Sequence, residues 1–86
     1  MDINEQLKVF VIDNFLFGQA DSLEFNTDFF EKGIIDSTGI VELVSFVEET
    51  FNITVLDEEL VPENFSSINK VSEFINHKQS DIAKAN

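Results

Sequence analysis

Asp36-Ser37 is the pair in this chain whose residue types and placing could do chemistry. A primary hydroxyl beside a carboxylate stands where a glycine-containing loop, Glu31-Lys32-Gly33-Ile34-Ile35, gives way to an amphipathic helix, Ile40 to Phe51. A serine becomes a nucleophile in its own right only when a neighbouring group takes its proton. No histidine or lysine lies close to Ser37 in sequence to do so. The pair therefore reads as a serine that another enzyme modifies. The plainer alternative is a helix N-cap, for which serine and aspartate are both favoured.

The other reactive side chains form no second centre. The single histidine, His77, falls in the last helix and reads as a surface residue. Asp57-Glu58-Glu59 are adjacent carboxylates without the alternating spacing and central glycine of a calcium loop. Glu48-Glu49 reads as a solvated helix face, and no metal site is expected. No glycine-rich phosphate-binding sequence occurs. The sequence points away from a free-standing enzyme.

Three main helices and one short one are needed to position the pair. Asp2, with Glu5 three residues on, opens a helix over Ile3 to Phe17 with Gly18 as its stop. Ile3, Leu7, Phe10, Val11 and Asn14 trace one face of it, widened by Val9, Ile12, Phe15 and Leu16. Gly18 to Asp36 is a long connection, with turn formers Asp21, Ser22, Asn26, Thr27 and Asp28 set among Leu23, Phe25, Phe29 and Phe30. Those apolar residues should pack it onto the core as an ordered loop containing a short helical turn.

The second helix presents Ile40, Leu43, Val44, Val47 and Phe51 inward and Glu42, Ser45, Glu48 and Glu49 outward. Asp36 or Ser37 caps it and Asn52 ends it. Ile53 to Leu56 should be extended but unpaired, Asp57 to Leu60 a single helical turn closed by Pro62, and Ser66 or Ser67 the start of the last helix. Ile68, Val71, Phe74 and Ile75 form its inner face. The fold class is all-α, a small bundle in one domain over residues 1–80, with residues 81–86 as a frayed tail.

Composition narrows the partners. Of 86 residues, 17 are acidic and 5 basic, all lysine, for a net charge of −12. From Gly33 to Asn69 no basic residue occurs. Such a surface repels phosphate backbones and anionic lipid heads, so neither nucleic acid nor membrane insertion is expected. It attracts a protein with a basic face. No apolar run approaches the roughly 20 residues of a membrane span. With no cysteine and no positively charged leader, the expected address is the cytoplasm. Ten phenylalanines, with no tryptophan or tyrosine, are expected to fill the core.

Gly33-Ile34-Ile35-Asp36-Ser37-Thr38, followed by Val41-Glu42-Leu43-Val44 and Glu48-Glu49-Thr50-Phe51, resembles the acyl carrier protein family. Phe29 is similar to the family's buried loop aromatic, Ile53 to Leu60 to its acidic turn, and Ser67-Ile68 through Ile75 to its last helix. The stand-alone D-alanyl and peptidyl carriers are more similar than the fatty-acid type, which usually has leucine at the place of Thr38, an acidic residue at Gly39 and methionine at Ser45.

The resemblance implies a non-catalytic carrier with 4'-phosphopantetheine, derived from coenzyme A, on Ser37 beside Asp36. It implies an acyl or aminoacyl thioester on that arm, and the helix N-terminus could favour its phosphate. Thr38, Ile40, Val41, Glu42, Glu48 and Glu49 would form the partner-binding face. The implied partners are a phosphopantetheinyl transferase and an adenylating enzyme, or a synthase or acyltransferase with a basic docking face, acting on a monomer. Leu43, Phe46, Val47, Leu60 and Ile68 are the candidate lining of an acyl pocket. The alternative is an acidic helical interaction module with no prosthetic group.

Overall fold

The computed structural model of the chain describes residues 2–16 and 23–84. Their regular structure is all helical: α1 (Ile3–Phe15), α2 (Gly39–Phe51), a 3-10 turn (Asp57–Glu59), α3 (Pro62–Phe65) and α4 (Ile68–Lys84). This is the small all-α bundle expected. Gly18, the expected stop of the first helix, and the turn formers Asp21 and Ser22 lie outside the described residues.

The three long helices start where a side chain takes an orphan amide. Asp2 Oδ1 accepts the Glu5 N–H at 2.8 Å to open α1. Ser67 Oγ accepts the Lys70 N–H at 3.2 Å to open α4. A second first-turn amide of α4, Asn69 N–H, donates to the Phe25 carbonyl at 2.9 Å, so the long loop helps cap the last helix. Asn52 ends α2 in the left-handed region, φ 55° and ψ 49°, a conformation asparagine tolerates better than most residues. α4 continues to Lys84, beyond Lys78, past which the sequence reads as fraying.

Pro62 does not close the acidic turn. It occupies the first position of α3, where its missing N–H costs nothing and its fixed φ suits the helix.

The interior is aliphatic with three aromatic inserts. Leu7, Val11, Leu43, Val47, Ile68, Val71 and Ile75 are sealed, with Phe29 and Phe65 among them and Phe74 nearly so. The remaining described phenylalanines depart from the expected all-core role. Phe10, Phe15, Phe25, Phe46 and Phe51 are half-buried and pack against the core from its rim. Phe10 stacks on Phe46 at 4.1 Å between ring centroids and meets Phe15 edge-on at 5.9 Å, so rings tie α1 to α2. Phe30 is exposed.

Among the described residues no helix is long and apolar enough to cross a membrane.

Candidate functional site

The approach to Ser37 is built by a single helical turn inside the long loop, as expected. Asp28 Oδ1 accepts the amides of Phe30 and Glu31 at 2.9 and 3.0 Å and opens the turn. Lys32 N–H reaches the Asp28 carbonyl at 3.1 Å. Gly33, at φ 68°, then closes it. Its amide donates to the Phe30 carbonyl and the Ile34 amide to the Phe29 carbonyl, a Schellman closure that needs the left-handed residue glycine supplies. Phe29 N–H is bonded to the Ser66 carbonyl at 2.7 Å, and its ring is buried. The chain therefore leaves Gly33 in a fixed direction, buries Ile35 and delivers Asp36 to the start of α2.

Asp36 is the cap, and Ser37 is not. Asp36 Oδ1 accepts the Thr38 N–H at 3.1 Å and the Gly39 N–H at 2.7 Å. The Asp36 carbonyl accepts the Ile40 N–H at 3.0 Å, the first full helical bond. Ser37 is thus the first residue inside the helical turn. It is exposed, and among the described residues its hydroxyl has no partner.

This arrangement bears on the expectation that the helix N-terminus could favour a phosphate on Ser37. Two amides that a phosphate on Ser37 would use are already taken by the Asp36 carboxylate. A phosphate there would stand beside the Asp36 carboxylate. The site still fits a covalent phosphodiester, because its hydroxyl is exposed and uncovered and its backbone is fixed on both sides.

The residues expected around Ser37 separate into three groups. Thr38, Val41, Glu42 and Glu49 are exposed, and Val41 presents 61% of its surface. Ile40 is half-buried and turns toward a groove. Glu48, expected to face outward, is half-buried, and its Oε2 accepts the Val55 N–H at 2.9 Å. The amides of an unpaired extended segment need an acceptor, and Glu48 is the carboxylate within reach.

The groove is a hollow of about 240 Å³ lined by Phe30, Ile40, Leu60, Val61, Pro62 and Phe65. Ile40 lies three residues beyond Ser37 on the helix, hence on a neighbouring position of the same face. Of the five residues expected to line a pocket, Leu60 lines this groove, and Phe46 lines a separate hollow of about 300 Å³ with Val9, Phe10 and Thr50. Leu43, Val47 and Ile68 are sealed in the core, and Phe46 is committed to Phe10. Sequence reasoning missed Phe30, Val61, Pro62 and Phe65. The available signal was their apolar character in a stretch without helical periodicity.

A larger hollow, about 440 Å³, lies between the acidic turn and α4. It is lined mostly by charged and polar side chains, Glu59, Glu63, Lys70, Glu73, His77, Lys78 and Asp81 among them, and Ser37 does not line it. Within it Lys78 Nζ meets Glu59 Oε1 at 2.8 Å. No other ion pair occurs among the described residues, so Asp36, Glu42 and Glu49 keep unneutralised charge. Among the described residues no His, Cys, Asp or Glu group could hold a metal ion.

The fold is a small all-helical bundle with a carboxylate-capped helix start beside an exposed serine. No family model matches the chain, but individual relatives do. The chain is 32% identical over 71 residues to the D-alanyl carrier protein of Streptococcus suis, covering 83% of this chain and 87% of that one. It is 37% identical over 71 residues to the D-alanyl carrier protein of Leuconostoc mesenteroides, covering 83% and 88%. It is also 35% identical over 54 residues to acyl carrier protein PigG of a Serratia species, covering 63% of this chain and 62% of that one. The chain belongs to the acyl carrier protein family. Among solved structures, it is similar to a chain in a crystal structure of an FAD-dependent dehydrogenase. The TM-score is 0.73 at 30% identity, covering 80% of this chain and 97% of the other.

Proposed function

We propose that Ser37 bears 4'-phosphopantetheine and that the chain shuttles a small acyl or aminoacyl group, as a thioester, between partner enzymes. The observation that carries this reading is the exposed, unbonded Ser37 hydroxyl, on a helix start that is fixed where Asp36 Oδ1 accepts the Thr38 and Gly39 amides. Nothing beside Ser37 serves as its base, so the phosphopantetheinyl transferase supplies one. The bond from Ser37 Oγ to phosphorus forms as the nucleotide half of coenzyme A leaves. The arm contributes the thiol that a chain without cysteine lacks.

The chain's own part is presentation. Thr38 and Val41 offer neutral contact beside the serine, while Glu42 and Glu49 add charge that draws a basic face. Steering of this kind raises the association rate without demanding tight binding. The groove beside Ile40 is about 240 Å³, below the roughly 300–1,000 Å³ of pockets for drug-sized ligands. Its size favours a small cargo. The D-alanyl carrier relatives favour an amino acid delivered by an adenylating enzyme.

The likeness to the FAD-dependent dehydrogenase structure favours a second class of partner. Four fifths of this chain covers nearly all of the matched one, so the matched chain is itself carrier-sized. A flavin enzyme that oxidises the arm-borne group is the partner this suggests.

Incubation with coenzyme A and a permissive transferase should add one phosphopantetheinyl mass to the wild type and none to Ser37→Ala. An unmodified wild type sinks the carrier reading and leaves the acidic interaction module, whose partner binding Ser37→Ala would not change.

A further inference from the structure

From Thr54 to Asn64 no residue is buried. The segment is anchored in the core at its ends, by Ile53 and by Phe65, and half-buried Val55 packs against the core beside Ile53, while Leu56, Leu60 and Val61 stay exposed. Segments with so few buried apolar contacts sit at the low end of local stability. Beyond Val55 what holds this one is polar, and Glu59 is its centre. Glu59 Oε1 accepts the Leu56 N–H at 2.9 Å and the Lys78 ammonium at 2.8 Å. The Glu59 carbonyl accepts Asn64 Nδ2 at 2.9 Å. Lys78 is the side of this junction that belongs to α4, with its amine 5.8 Å from the Phe74 ring centroid.

The residues directly after Glu59 form one wall of the groove near Ser37. Leu60, Val61 and Pro62 face Phe30 and Ile40 across it. The tie to α4 and the groove wall are thus consecutive in the chain, and moving one moves the other.

We infer that the Glu59–Lys78 pair is a positioning latch: it fixes the Leu60–Pro62 wall and so limits the size of the group that the groove shelters. The latch itself stands on the geometry; the sheltered group rests on the carrier reading of Ser37. Without the pair the segment retains Glu48 to Val55 as its other carboxylate tie, so it loosens without detaching.

Lys78→Met keeps the side-chain stem over Phe74 and removes the charge, while Lys78→Arg keeps the charge. Amide hydrogen exchange on the protein without its arm should be about tenfold faster at Glu59, Leu60 and Val61 in Lys78→Met, with Leu43 and Val47 in α2 unchanged. Lys78→Arg should stay close to wild type. Equal exchange at the segment in wild type and Lys78→Met overturns the latch, as does an equal rise in α2.

The second readout is hydrolysis of the arm's thioester. In Lys78→Met an octanoyl thioester should gain severalfold protection while an acetyl thioester does not change. Exchange that rises with no such chain-length split overturns the sheltering role. A wild type that accepts no phosphopantetheine fails the carrier reading instead, and the exchange result still decides the latch.

Discussion

The Phe15 ring lies so close to Gly39 that a Cβ on the glycine would stand 2.8 Å from Phe15 Cε1. Ile35 Cγ2 would be 3.3 Å away on another side. Gly39 is buried and is the first residue of α2 without a positive φ, so it is there for room and not for backbone freedom. Its helix penalty of about 1 kcal/mol relative to alanine is exchanged for direct packing of the end of α1 on the start of α2. That contact is two residues from Ser37. Any side chain at this place would have to displace the Phe15 ring.

Gly39→Asp should therefore destabilise the fold by about 1–3 kcal/mol, the usual cost of overpacking. The same substitution in a Phe15→Leu background should cost measurably less, because the ring it strikes is gone. Urea midpoints of the four proteins of this double-mutant cycle give the coupling directly. Equal costs in both backgrounds would mean that Phe15 does not set the requirement for glycine.

The helix faces were legible because each buries one clean stripe. Leu43, Val44 and Val47 in α2, and Ile68, Val71, Phe74 and Ile75 in α4, are buried as their spacing predicts. Asp36 at a helix start was legible for the same local reason. Pro62 was not, because proline both stops and starts helices, and only the following turn decides which. Phe30 reads as core by type, yet the turn from Asp28 to Gly33 buries Phe29 and leaves its neighbour outside. Glu48 reads as a surface charge until an unpaired amide at Val55 is brought beside it. The Phe15–Gly39 fit and the Phe25–Asn69 bond join residues distant in sequence, and no local pattern encodes them.

Asp36 carries two separable roles, and two substitutions divide them. Asp36→Asn retains an oxygen for the Thr38 and Gly39 amides, so it should cost only a few tenths of a kcal/mol. Asp36→Ala leaves both amides without that oxygen and should cost about 1 kcal/mol, within the 0.5–2 range for lost caps. Thermal unfolding distinguishes them. If the carboxylate also draws the transferase, both variants should be modified more slowly at Ser37 by mass spectrometry. A slowing confined to Asp36→Ala would assign the effect to geometry alone.

Glu42 and Glu49 are exposed and without ion-pair partners among the described residues. The double variant Glu42→Gln, Glu49→Gln should associate more slowly with a basic partner enzyme and show a weaker dependence on salt, while dissociation changes little. Stopped-flow association at two ionic strengths measures this. Glu48→Gln should behave differently, because Glu48 Oε2 already holds the Val55 amide. Its larger effect should fall on unfolding rather than on association.

Acid should release the Glu59–Lys78 tie over a definite window. Burial pushes the Glu59 carboxyl up, but the hydrogen bonds from Lys78 and from the Leu56 amide, with the Lys78 charge, outweigh it and leave the carboxyl below its ordinary value of 4.5. A depressed carboxyl stabilises the folded state fully above the ordinary value and loses that contribution as pH falls through the lowered one. The stability difference between wild type and Glu59→Gln should be constant near neutral pH and shrink below about pH 4.5. Glu63, Glu73, Asp81, Lys70 and His77 line the same hollow in both proteins, which is why the measured quantity is the difference between them. Lys78→Met should lose the same acid-sensitive portion. A difference that does not change from neutral pH to the acid limit of folding would show that the pair adds no charge-dependent stability.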